Sequence, residues 1–164
     1  MYNVAILTAS DRGFSGERED LSGLAIHQLL ASSGSNFQVV AEAIVPDEID
    51  EIIEVLNSWC ADKIPLILTT GGTGFSPRDI TPDATLKVIE RHAPGFAEAM
   101  RYESLKITPH AMISRAVAGI CGASLIVNLP GSVKGVQECL GVILPALPHA
   151  LDKLMGDTSD CGRS

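Results

Sequence analysis

The sequence predicts an α/β fold, a three-layer α/β/α sandwich around a mostly parallel sheet. Three observations carry that expectation. Short β-branched runs alternate with longer segments of helical period, the pattern of successive βαβ units. Aromatic residues make up only 4% of a chain that is 46% hydrophobic, so the core is aliphatic, as suits a sheet buried on both faces. The length, 164 residues, fits one domain over residues 1–164, which buries roughly 70% of its unfolded surface.

The elements follow in order. Asn3 to Ala9 reads as a buried strand. The connection from Ser10-Asp11-Arg12 to Ser22 is longer than an ordinary βα loop and reads equally as a charged lid or a solvated insertion. Leu21 to Ser32 carries Leu21, Leu24, Ala25, Leu29 and Leu30 near helical period, with Asp20 placed to cap it and Gly34 to stop it. Phe37 to Val45 is a second strand, ended by Pro46. Asp50 to Asp62 is a helix with Ile52, Ile53, Leu56 and Trp59 on or near one face. Ile64 to Thr70 is a third strand that runs into Gly71-Gly72-Thr73-Gly74. Thr81 as N-cap, Pro82 at the first helical position and Asp83 on the dipole open a helix that reaches about Arg91 and stops before Pro94. Gly95 to Lys106 is helical, and Ser114 to Gly119 stays open between helix and strand. Ser124 to Leu129 is a strong strand ended by Pro130-Gly131. Ser132 then caps a final helix, interrupted by Pro145 and restarted after Pro148.

Composition narrows the function. A net charge of −8 and a pI near 4.8 leave no basic footprint for nucleic acid. Anionic ligands would need local help from backbone amides, a helix N-terminus or a cation. No apolar run approaches the ~20 residues of a membrane span, and no targeting segment is visible, so a cytoplasmic location is expected. Cys60, Cys121, Cys139 and Cys161 form no C-x-x-C pair and read as reduced, structural thiols. His27, His92, His110 and His149 lack metal-ligand spacing, and no nucleophile elbow is present.

In open parallel sheets, ligands sit outside the carboxyl ends of the strands. Four polar or glycine-rich segments follow the four strands and should converge on one rim. Thr70-Gly71-Gly72-Thr73-Gly74 can turn successive amides into one concavity for phosphate oxygens; the plainer alternative is a tight turn. It lacks the Lys of a Walker A loop and the spacing of the dinucleotide fingerprint. Arg78 can neutralise phosphate, and Asp79, which phosphate repels, can hold Mg²⁺. Asp47, after Pro46, is a second candidate for the same ion or a turn residue. Asn128, Gly131 and Ser132 sit where a second anion could bind or where a turn needs a cap. Two carboxylates from separate strand ends, a phosphate loop and no covalent nucleophile together fit phosphoryl or nucleotidyl transfer between two anionic ligands; a binding module for a phosphorylated ligand is the other class.

These residues resemble a known family. Thr69 to Gly74, followed by Arg78-Asp79-Ile80-Thr81-Pro82-Asp83-Ala84-Thr85, is similar to the Mog family of molybdopterin adenylyltransferases and to the G domains of gephyrin and its plant counterpart. Ser10-Asp11-Arg12, Asp20 to Gly23, Pro46-Asp47, Glu103 to Pro109 and Asn128 to Ser132 match family segments in family order, nearly along the whole chain. The resemblance implies the MoaB/Mog-like fold and the Mg²⁺-dependent reaction of molybdopterin with ATP, giving adenylyl-molybdopterin and pyrophosphate. It implies Asp47 and Asp79 as catalytic and metal-holding, and Ser10, Thr70, Gly71, Gly72, Thr73, Gly74 and Arg78 as substrate-binding. Ser104, Asn128, Gly131 and Ser132 fall in segments linked to the pterin ligand. A homotrimer and hand-over to a Moe-type insertase are also implied. Val133 and Cys121 depart from the usual Pro and basic residue. A non-catalytic Moa-type paralogue, carrying molybdopterin as a scaffold, is the alternative. A competence-damage-inducible relative is disfavoured by Thr73 and Arg78-Asp79.

Overall fold

A computed structural model describes residues 1–34 and 37–158. Cys161 lies outside the described residues. The core is a six-stranded sheet of order β2-β1-β3-β6-β5-β4. Strands β1 (Tyr2–Ala9), β2 (Phe37–Val45), β3 (Leu66–Thr70) and β6 (Ser124–Leu129) are mutually parallel, while β5 (Ala118–Cys121) runs antiparallel between β6 and the two-residue β4 (Arg91–His92).

Strand side chains alternate between faces. Val4 and Ile6 join one apolar cluster with Leu66, Leu68, Val127 and Leu129, covered by α2 (Leu21–Ser32), α5 (Pro94–Leu105), α6 (Val133–Ile143) and α7 (Leu147–Leu154). Ala5 and Leu7 face the other way with Ile67 and Ile126, against Ile52, Leu56 and Trp59 of α3 (Ile49–Ala61) and Ala84 and Val88 of α4 (Thr81–Val88). The three layers expected from the sequence are therefore present, with an aliphatic core on both faces.

Several boundaries differ from the expectation. A short helix, α1 (Asp11–Phe14), forms inside the first connection because the Ser10 hydroxyl accepts from the Gly13 amide. Asp20 caps α2 as expected, accepting from Gly23 N. Thr81 is not the cap of α4: Ile80 is, with no side-chain cap hydrogen bond, and Thr81 is the first helical residue, its otherwise free amide donating to the Gly72 carbonyl at 3.1 Å. That helix ends at Val88, not near Arg91, since the chain turns extended at Ile89 and the Glu90 amide pairs with Ile120 O at 2.8 Å. The open stretch 114–119 is irregular until it enters β5. Pro94 opens α5, and the last helix restarts at Leu147 with Pro148 in its first turn, where a missing amide costs nothing.

The sheet register sets the height of the rim. Thr8 pairs with Thr70, Thr70 with Leu129, and Ala9 with Val45. The segments after β1, β2, β3 and β6 consequently start at one level.

Candidate active site

At that rim lies a cleft of about 170 Å³, lined by Ser10, Arg18, Asp20, Asp47, Gly71, Gly72, Asp79 and Gly131 among others. The glycines explain its shape. Gly71 has φ +94°, and a Cβ there would stand 2.2 Å from the Ala9 carbonyl oxygen, so only glycine lets β3 turn this close to β1. A Cβ on Gly131 would meet the Gly71 Cα at 3.0 Å, which brings the loop after β6 directly onto the glycine turn. Gly72, at φ +61°, would meet the Thr81 hydroxyl at 2.5 Å.

Asp47 and Asp79 share this cleft. Asp47 is held by a reciprocal pair with Asp11: its Oδ2 accepts from the Asp11 amide and its own amide donates to Asp11 Oδ1, both at 3.0 Å. Burial is the largest influence on Asp47 and raises its pKa, with the Asp11 and Asp79 charges adding and the Asp11 amide and Arg78 opposing. Asp79 Oδ2 accepts from the Ser76 amide at 2.8 Å and lies over Gly74, where a Cβ would approach it to 2.9 Å. Asp20 brings a third carboxylate, occupied by the Thr8 and Ser22 hydroxyls and the Gly23 amide. With Glu19 the cleft holds four carboxylates against one arginine, Arg18, so its side chains alone repel an anion.

A larger cavity of about 530 Å³ adjoins it. Thr73, Gly74, Ser104 and Ser132 line it, with apolar Met100, Ile107 and Ile113 and the cations Arg101 and Lys134. Ser104 Oγ sits 3.7 Å from the Cys139 thiol, and the Ser132 hydroxyl caps α6 by accepting from Gly135 N. The glycine turn thus borders both spaces: Gly71 and Gly72 face the cleft, while Thr73 and Gly74 face the cavity.

Three residues singled out from sequence are placed elsewhere. Asn128 is fully buried; its Oδ1 accepts from Val117 N at 3.2 Å, and its Nδ2 donates to the Thr69 and Thr85 hydroxyls at 2.9 Å. It locks β6 to β3, to α4 and to Val117 just before β5, and its side chain has no polar atom left for a ligand. Asn128→Ala is therefore expected to lower the unfolding free energy by about 3 kcal/mol in urea titration, with ligand affinity of the folded fraction kept. Thr70 is likewise fully buried, its hydroxyl donating to the Pro130 carbonyl at 2.7 Å, which fastens the loop after β6. Arg78 turns away from the cleft and forks onto Asp11 at 2.6 and 2.9 Å and onto Glu48 at 2.8 Å. That pair holds Asp11 below the usual carboxylate range.

Sequence reasoning passed over Arg115 entirely. It lies in the stretch left open between helix and strand, yet it donates to the glycine turn from two sides (below). Among the described residues Cys60, Cys121 and Cys139 are free, and burial pushes Cys60 up to about 12 and raises Cys139, which disfavours the thiolate form of each. No helix of the described residues is long and apolar enough to cross a membrane.

Residues 5–149 match the family described as a probable molybdopterin binding domain. The chain is 46% identical over 156 residues to the molybdopterin adenylyltransferase of Helicobacter pylori strain J99, covering 94% of this chain and 89% of that one. It is 47% identical over 156 residues to gephyrin of Dictyostelium discoideum, covering 90% of this chain but only 22% of that much longer protein. Among solved structures, the molybdopterin biosynthesis enzyme MoaB of Thermus thermophilus superposes with a TM-score of 0.90 at 51% identity, covering 96% of this chain and 98% of that one.

Proposed function

The chain belongs to the family of probable molybdopterin-binding domains, and from that premise we propose that it transfers the adenylyl group of ATP to molybdopterin in molybdenum-cofactor biosynthesis. The observation that carries this reading is one glycine turn shared by two spaces, an acidic cleft holding Asp47 and Asp79 and a larger, partly basic cavity. Relatives 41–46% identical that are named molybdopterin adenylyltransferase support it.

In the proposed reaction, a terminal phosphate oxygen of molybdopterin bonds to the α-phosphorus of ATP. The bond from that phosphorus to the bridging oxygen breaks, and pyrophosphate leaves with its electron pair. The attacking oxygen is already anionic, so no strong base is needed. Catalysis consists of holding two anions in line and lowering their repulsion. The amides of the Gly71–Gly72 turn and of Gly131 suit phosphate oxygens, with Ser10 beside them. Thr73, Gly74, Ser104 and Ser132 border the cavity assigned to molybdopterin, where Lys134 offers positive charge.

The donor set fits Mg²⁺. Among the described residues no group of three or more His, Cys, Asp or Glu could cage an ion. Two carboxylates on one cleft suit Mg²⁺, which commonly binds through one or two carboxylates and completes its shell with substrate phosphates and water. Asp47 and Asp79 would hold it, and when bound it supplies neutralisation of phosphate charge. The half-buried Asp47 carboxylate, whose pKa desolvation raises, is the kind of group that a cation relieves.

Pyrophosphate release is measured with molybdopterin, ATP and Mg²⁺. Turnover that EDTA abolishes and Mg²⁺ restores is the expected result. No release above an enzyme-free control overturns the reading, and saturable molybdopterin binding without release identifies a carrier instead. The resemblance further supports a homotrimer, a cytoplasmic location and passage of the adenylylated product to a Moe-type insertase; sedimentation velocity should show a species three times the 17.3 kDa chain mass.

A further inference from the structure

We infer that Arg115 is a positioning residue for Asp79, a part it plays through the backbone of the glycine turn. The inference rests on the adenylyltransferase reading. The Arg115 amide donates to the Thr73 carbonyl at 2.8 Å, and Nε donates to the Gly74 carbonyl at 3.2 Å. Nη2 reaches the Asp79 carbonyl at 3.1 Å and the Asp83 carboxylate, whose other oxygen takes Nη1 at 3.4 Å. One residue thereby fastens three carbonyls along the segment from Thr73 to Asp79. The Asp79 carboxylate closes back on the same segment through the Ser76 amide and lies against Gly74.

The charge arrangement separates this from phosphate binding. Asp83 pairs the guanidinium, and Arg115 does not line the acidic cleft. It borders instead the outer side of the turn with Phe75, Pro77 and Ile80. The segment carrying it is anchored from the other direction, where Arg101 Nη1 donates to the carbonyls of Ser114 and Ala116 at 3.4 and 2.7 Å. Carbonyls that point in different directions need donors fixed in a fork. A lysine ammonium is a single point on a flexible stem and cannot serve them together.

The test is Arg115→Lys in the full chain. We expect kcat for pyrophosphate release to fall about 100-fold, as an ångström-scale misplacement does, while KM for molybdopterin stays within about twofold. In an Asp79→Asn background the same change should cost less than about threefold more, because residues acting as a unit are not additive. Added guanidinium ion should recover part of the turnover of Arg115→Ala and none of that of Asp79→Asn. Fully additive losses, or a raised KM with kcat unchanged, overturn the inference. If Arg115→Lys fails to fold, Asp83→Asn, which strips the guanidinium of its carboxylate, must show the same non-additivity on a smaller scale. If the wild type itself releases no pyrophosphate, the adenylyltransferase reading fails separately. Amide hydrogen exchange then decides: Arg115→Lys must speed exchange over residues 71–79 about tenfold and leave β3 protected; equal protection in both proteins removes the positioning role.

Discussion

Asp79→Asn is expected to lower adenylyl transfer about 1000-fold with the fold and molybdopterin affinity kept. The substitution is isosteric, and the amide oxygen can still accept from the Ser76 amide. What disappears is the negative charge that Asp79 brings to the cleft it shares with Asp47, on which that charge acts directly. A phosphate ligand entering that space then meets fewer groups able to hold its cation. Asp47→Asn should cost a similar factor, and the double variant little more than either alone, since both serve one ion. Single-turnover pyrophosphate release with each variant measures this. Wild-type rates in the double variant would remove the carboxylates from the chemistry and favour a carrier; lost molybdopterin affinity in Asp79→Asn would reassign that residue to the pterin side.

Gly71→Ala is expected to destabilise the chain by about 4 kcal/mol and to abolish activity in whatever remains folded. Two costs coincide at this position. The backbone is left-handed, at φ +94°, and the added methyl would overlap the Ala9 carbonyl oxygen, a backbone atom that cannot swing away. Any relief must separate β1 from β3, which pair in register from Val4–Leu66 to Thr8–Thr70. Gly16→Ala is the control. Its φ is +78° but nothing lies within 4 Å of the added carbon, so it should cost only about 1–2 kcal/mol of backbone strain. Thermal unfolding of both variants compares them. A Gly71→Ala melting temperature equal to that of Gly16→Ala would show that the close approach to β1 is unimportant.

Much of the fold was legible because its signals are local. Fully apolar runs such as Leu66–Leu68 announce buried parallel strands, and Asp20 and Ser132 cap α2 and α6 through amides three residues away. The elements that escaped depend on distant partners. Strand β4 exists only because β5 lies beside it, and α4 starts at Thr81 behind Ile80, which has no capping oxygen, with the distant Gly72 carbonyl taking the Thr81 amide. The candidate site divides in the same way. Asp47, Asp79 and the glycine turn stand directly after strands or beside the turn, so the rule that ligands gather at strand carboxyl ends finds them. Arg78 carries the same local signal, yet its guanidinium goes to Asp11 and Glu48.

By itself, then, the chain's order of residues determined the layered architecture, the rim and the placing of Asp47 and Asp79 along it, since apolar period, capping and glycine content act over a few residues. Tertiary structure alone decided that Asn128 faces inward, paired in register with Thr69, and that Arg115 reaches from the irregular stretch before β5 to the glycine turn. Both outcomes depend on strand register and on which loops pack together. Those are set by the burial of the whole sheet, and no short stretch of sequence carries that information.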